Sequence, residues 1–131
     1  MTKGFILCVD DDPDDCSLLG EAILKSAPGL KIHYENDAFK ALDFLQHAKE
    51  ESALPSLIIM DLNMPSLDGK EAVVRLKEDP QLQSIPVVIM TTNVRDPDLI
   101  AIEKKGATIM KKPDSISGYG DIAKTIAESM L

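Results

Sequence analysis

Cysteine is scarce, with two in a chain of 131 residues. Cys8 and Cys16 form no Cys-x-x-Cys pair, which argues against a zinc site and fits a reducing compartment. Both read as small buried hydrophobes. Long apolar runs are missing as well. None approaches the roughly 18 residues of a membrane span. The opening Met1-Thr2-Lys3-Gly4 leads straight into a strand-like run and then into acids, which is not a signal-peptide pattern. The expected location is the cytoplasm, with no membrane partner. Positive charge is in deficit: 14 Lys and Arg stand against 22 Asp and Glu, for a formal net charge of -8. A nucleic-acid backbone would be repelled, so no direct nucleic-acid partner is expected. Histidine is limited to His33 and His47. Neither sits at the carboxyl end of a strand, so both read as surface residues rather than ligands or phosphohistidines. No internal repeat, low-complexity segment or interdomain linker interrupts the chain.

What remains has ordinary globular proportions, 44% hydrophobic and 27% charged, in a length that suits one domain over residues 1–131. The central stretch is Leu57-Ile58-Ile59-Met60, which ends abruptly at Asp61. Pro65 and Ser66-Leu67-Asp68-Gly69 then stop the strand. Phe5-Ile6-Leu7-Cys8-Val9 is a second buried strand and also runs into acids, Asp10-Asp11-Asp12-Pro13-Asp14-Asp15. Asp12 suits an N-cap and Pro13 the first position of a helix. Leu19, Ala22, Ile23 and Ser26 carry its inner face. Leu30 to Glu35 alternates and reads as a half-exposed edge strand. Asp37 caps a helix with a stripe of Ala38, Ala41, Leu42 and Leu45. Gly69 to Glu78 reads as the next helix, and Pro86 to Met90 as a buried strand ending in Thr91-Thr92-Asn93. Asp96-Pro97 starts a fourth helix with a thin apolar face, Leu99 and Ile102. Lys104-Lys105-Gly106 closes it. Ala107 to Lys111 is a short strand, and a last helix runs from about Ser117. Its inner face is Tyr119, Ile122, Ala123, Ile126 and Met130. Five strands alternating with five helices imply a parallel sheet covered on both faces.

In such a sheet, sites form beyond the carboxyl ends of the strands. The polar residues collect there: Asp10 and Asp11, then Asp61, Thr91 and Lys112. If the first and third strands are neighbours, Asp10, Asp11 and Asp61 converge. Two carboxylates about 4 Å apart repel by about 4 kcal/mol at an effective dielectric near 20. Such a cluster calls for a cation or shifted pKa values. With oxygen ligands alone the cation should be hard, and Mg2+ fits. A metal, a carboxylate nucleophile, a hydroxyl and a lysine suit phosphoryl transfer. Asp61 then attacks the phosphoryl group, Asp10 and Asp11 hold the metal, and Thr91 and Lys112 contact the remaining oxygens.

Taken in order, Phe5-Ile6-Leu7-Cys8-Val9-Asp10-Asp11-Asp12, Ile59-Met60-Asp61-Leu62-Asn63-Met64-Pro65 with Asp68-Gly69, Ile85-Pro86-Val87-Val88-Ile89-Met90-Thr91, Gly106-Ala107 and Lys112-Pro113 resemble the receiver domain of two-component response regulators, the CheY-like superfamily. The resemblance covers essentially the whole chain. It implies a flavodoxin-like (βα)5 three-layer sandwich with strand order 2-1-3-4-5. It implies phosphoacceptance on Asp61 and Mg2+ contacts from Asp10, Asp11, Asp61 and the backbone carbonyl of Asn63. The same resemblance assigns the signalling hydroxyl to Thr91, the phosphate-binding cation to Lys112 and a cis peptide to Lys112-Pro113. Asn63 and Asn93 would tune the lifetime of the phosphoryl group. Lys111 reads as a solvated strand-end charge. One position departs from the pattern: Ile109 stands where the family has a rotating aromatic, so the usual coupling between threonine and aromatic is missing. The segment from Lys112 to Tyr119 is similar to stand-alone receivers, some of them paired with phytochrome-type or hybrid kinases.

The implied partners are a sensor histidine kinase or histidine phosphotransfer protein and a downstream protein. The surface from the fourth to the fifth helix would carry the response. A homodimer through that surface is compatible with the sequence, although no strong apolar patch supports it. Other readings fit less well. A phosphatase with an aspartate nucleophile would need a general acid where Asn63 stands. A flavin carrier would need a phosphate cradle after the first strand, where the acids would repel it. A module that has kept the fold but lost the chemistry would not need the intact acidic site.

Overall fold

The structure, a computed structural model, describes residues 4–10, 13–61 and 67–130. Its strands are β1 (Phe5–Asp10), β2 (Lys31–Glu35), β3 (Leu57–Asp61), β4 (Val87–Thr91) and β5 (Thr108–Lys111). They alternate with helices α1 (Pro13–Ser26), α2 (Ala38–Glu50), α3 (Leu67–Glu78), α4 (Pro97–Glu103) and α5 (Ile116–Met130). The sheet is parallel throughout, in the order β2-β1-β3-β4-β5. This is the flavodoxin-like (βα)5 arrangement that the resemblance to receiver domains implies.

The continuous apolar runs follow from burial on both faces of the sheet. Leu7, Val9, Ile58, Met60, Val87 and Ile89 point to one side, where they meet Ala41 and Leu45 of α2, Val73 and Leu76 of α3, and Leu99 and Ile102 of α4. The alternate residues Ile6, Cys8, Leu57, Ile59, Val88 and Met90 point to the other side, against Leu19 and Ile23 of α1 and Tyr119, Ala123 and Ile126 of α5. Handedness explains the division. The chain steps outward from β1 to β2, then reverses through β3, β4 and β5. Right-handed crossovers therefore put the first helix on one face and the next three on the other. Each of the buried Val, Leu, Ile and Met side chains contributes about 1.5–3 kcal/mol of transfer free energy.

The element ends match their local signals. Asp37 caps α2 by accepting from the N–H groups of Phe39 at 2.8 Å and Lys40 at 3.0 Å. Asp96 caps α4 by accepting from the N–H of Asp98, with Pro97 in the first turn. Gly106 takes a φ of 113° just after α4, a conformation that favours glycine. Pro13 opens α1 as expected, while the proposed cap Asp12 lies outside the described residues. Helix α3 starts at Leu67, two residues earlier than the sequence pattern indicated. The edge position of β2 shows in its exposed Lys31 and Tyr34. His33 stacks on Phe44 of α2 at a centroid distance of 4.0 Å and pairs with Glu35 at 2.6 Å. Cys8 is fully buried.

Candidate functional site at the carboxyl rim

Three strand ends and the residue after a fourth meet at one rim of the sheet. The register sets Asp10, the last residue of β1, opposite Asp61, the last residue of β3. On the other side of β3, Asp61 is opposite Met90, so Thr91 lies one step further along. Thr91 is opposite Lys111 of β5, and its carbonyl accepts from the N–H of Lys112 at 2.8 Å. Neighbouring strands lie about 4.8 Å apart. The rim therefore spaces Asp10, Asp61, Thr91 and Lys112 along a row with Asp61 in the interior. The side chain of Asp61 lies outside the description, as do Asp11 and Asn63.

Burial singles out the same residues. Among the described residues, the buried polar or charged side chains are Asp10 at 3% exposure, Thr91 at 0% and Lys112 at 7%. All three are at this rim. Removing an ionised group from water is costly unless it is paired or hydrogen-bonded, so an acid and a base both sequestered at one rim mark a site with electrostatic work to do. Strand alternation separates the two lysines: Lys111 is exposed and Lys112 is buried. Among the described residues no group of three or more metal-ligating side chains is found; the acids that would complete one, Asp11 and Asp61, are those whose side chains are not described.

The Thr91 hydroxyl oxygen accepts from the N–H of Asn93 at 3.1 Å, which ties the hydroxyl to the loop leading into α4. Asn93 is exposed, and its side-chain oxygen accepts from the N–H of Arg95 at 3.2 Å. Ile109 is not part of the rim. It sits inside β5 opposite Ile89 and packs, partly buried, against the α2–α4 side of the core. The expected cis peptide at Lys112-Pro113 is not found: among the described residues every peptide bond is trans. Trans is the intrinsically favoured isomer by about 0.5–1 kcal/mol.

A residue that gave no signal in the sequence links two of the helices that follow the rim strands. Lys70, in the first turns of α3, places its ammonium 2.8 Å from Asp96 and 3.0 Å from Asp98. These contacts hold its pKa above the usual lysine value, chiefly through the hydrogen bonds to Asp96 and then Asp98. The Lys70 hydrogen bond likewise lowers the carboxyl pKa of Asp96. The partners are 26 and 28 residues away in sequence, too far for any helical spacing to reveal them.

This fold, with an acid–hydroxyl–lysine rim at the carboxyl ends of its strands, defines a phosphorelay receiver, and sequence comparison places the chain in that class. The response regulator receiver domain family matches residues 6–116, and the chain belongs to it. Response regulator Rcp1 of Synechocystis sp. is 38% identical over 98 residues, covering 73% of this chain and 67% of that protein. The crystal structure of the Mn2+-bound form of Rcp1 superposes with a TM-score of 0.83 at 30% identity, covering 98% of this chain and 94% of that one. The phosphorylated cyanobacterial phytochrome response regulator RcpA superposes with a TM-score of 0.86 at 28% identity, covering 99% and 95%. The chain is thus a receiver domain of two-component response regulators. No helix among the described residues is long and apolar enough to cross a membrane.

Proposed function

We propose that Asp61 is the phosphoacceptor of this receiver and that residues 1–131 work as one phosphorelay unit. The supporting observation is the convergence of the buried side chains Asp10, Thr91 and Lys112 on the strand ends flanking Asp61. A carboxylate oxygen of Asp61 attacks phosphorus. The bond from phosphorus to the donor breaks, and the donor leaves as the neutral imidazole of a histidine kinase or phosphotransfer protein. The Thr91 hydroxyl donates a hydrogen bond to one phosphoryl oxygen, and the Lys112 ammonium pairs with another. A divalent cation fits the rim, because Asp10 is nearly water-free and stands opposite Asp61. The oxygen-only donor set favours a hard ion, so we assign Mg2+ to Asp10, Asp11, Asp61 and the Asn63 carbonyl. Bound there, the ion supplies positive charge to the acids and to the phosphoryl oxygens. The side chains of Asn63 and Asn93, each two residues past the acceptor or the threonine, set the phosphoryl lifetime. The protein acts on its own phosphorylation and dephosphorylation rather than on a separate substrate. It works in the cytoplasm and signals to a downstream protein, or to a second copy, through the α4–β5–α5 surface.

The test is intact-mass measurement after incubation with acetyl phosphate and Mg2+. The expected result is one added phosphoryl group, about 80 Da, that is lost in Asp61→Asn and after chelation. An adduct that persists in Asp61→Asn refutes the assignment.

A further inference from the structure

Helix α4 is weakly held. It has seven residues and buries only Leu99 and Ile102. A groove of about 500 Å³, lined by Val74, Ala101 and Lys105 among others, separates it from α3. At its N-terminus the attachment is different. The Lys70 ammonium is bracketed by Asp96 at 2.8 Å and Asp98 at 3.0 Å, and Lys70 and Asp96 are only 16% and 13% exposed. The second oxygen of Asp96 accepts from the N–H of Asp98 at 2.9 Å. One carboxylate therefore both caps α4 and ties it to α3. Helix α3 follows the strand that ends in Asp61, and α4 follows the loop whose Asn93 holds Thr91. The clasp thus joins the elements that follow the acceptor and the hydroxyl.

We propose that Lys70 is a positioning residue of the switch: it locks the first turn of α4 to α3 and so brakes movement of the Thr91–Asp96 loop. The proposal rests on the reading of Asp61 as phosphoacceptor. With an isoleucine at position 109 there is no polar ring to couple to Thr91, and the clasp provides a charged link instead. A ligand or modification shifts a two-state element only as far as it outcompetes such restraints. Releasing the brake therefore raises the fraction of the phosphorylation-competent form.

The test compares wild type with Lys70→Met, Asp96→Asn, the double variant and Lys70→Arg. Asparagine caps a helix about as well as aspartate, so Asp96→Asn removes the less exposed of the two ion pairs and keeps the cap. Amide hydrogen exchange across residues 94–103 should rise about three- to fivefold in Lys70→Met, the range of a partly screened ion pair, and less in Asp96→Asn, which keeps the pair to Asp98. The double variant should rise no further than Lys70→Met, exchange of β1 and β3 should stay unchanged, and Lys70→Arg should behave as wild type. The initial rate of adduct formation from acetyl phosphate should rise by the same factor in Lys70→Met. Unchanged exchange in Lys70→Met, additive effects in the double variant, or faster exchange with an unchanged or slower adduct rate overturns the proposal. If wild type takes up no phosphate, the phosphoacceptor reading fails by itself, and the exchange cycle still decides whether the clasp exists.

Discussion

Thr91 is the residue at which stability and signalling should separate most cleanly. Its side chain is fully buried at the end of β4, and its hydroxyl oxygen accepts from the N–H of Asn93 at 3.1 Å. Thr91→Ser keeps the hydroxyl and removes a methyl group. That costs about 0.8 kcal/mol of transfer free energy, plus a smaller cavity contribution. Thr91→Val keeps the shape and removes the hydroxyl. It loses one hydrogen bond, about 1 kcal/mol, with the exposed Asn93 able to recover part of this from water. The two variants should therefore unfold at similar urea concentrations, both somewhat below wild type. Their chemistry should differ. A hydroxyl donating to a charged phosphoryl oxygen is worth about 1.5–3 kcal/mol, so Thr91→Val should lose roughly ten- to a hundredfold in the rate of adduct formation or in the conformational response to it. Thr91→Ser should stay within about threefold of wild type, since 1.4 kcal/mol corresponds to a factor of ten. The assays are urea unfolding and an intact-mass time course with acetyl phosphate. Equal functional loss in the two variants would refute the hydroxyl role, leaving Thr91 as a packing residue.

Two further outcomes follow from the packing. The Asp79 side chain accepts from Lys49 at 3.0 Å and from the Gln81 N–H at 2.8 Å, and these bonds, Lys49 first, hold its carboxyl pKa below 3.8. A lowered folded pKa gives stability that is present above the unfolded value and lost as pH falls through the folded one. Asp79→Asn should thus be less stable than wild type at neutral pH, by under about 1 kcal/mol for a partly exposed pair, and the gap in urea midpoint should close below pH 3.8; a gap that widens in acid contradicts the ion-pair account. In α5, a Cβ at Gly118 would meet the rigid ring of Pro113, whereas one at Gly120 would meet nothing within 4 Å. Gly120→Ala should stabilise by about 0.4–1 kcal/mol, while Gly118→Ala should destabilise and, by displacing Pro113, slow phosphorylation through Lys112. Thermal unfolding of the two variants checks the sign of each.

The position of Ile109 bears on how the signal leaves the domain. It is an aliphatic residue packed against the same side of the sheet as α4. It offers shape to the core and nothing to a hydroxyl. Thr91 itself is tied in two directions: its hydroxyl oxygen accepts from the Asn93 N–H of the loop that leads to the Asp96 cap and the Lys70 clasp, and its carbonyl accepts from the Lys112 N–H after β5.

Much of the molecule was legible one residue at a time. Burial on two faces makes the runs Ile6–Val9, Leu57–Met60 and Val87–Met90 continuous, and Asp37, Asp96, Pro97 and Gly106 mark helix ends because capping is a local hydrogen-bonding problem. The rim residues Asp10, Thr91 and Lys112 stood out because each breaks an apolar run, and burial at the carboxyl ends of the strands accounts for that pattern. Other features depended on which strands and helices became neighbours. The setting of Asp10 opposite Asp61 exists only because β1 lies between β2 and β3. The bond from the Lys112 N–H to the Thr91 carbonyl exists only because β5 closes on β4. The Lys70 clasp joins residues brought together by two crossovers on the same face. Local chemistry sets what each segment can bury and where it must stop. The handedness of the crossovers and the packing of the helices determine which charges meet, because those contacts form between segments with no spacing relation along the chain.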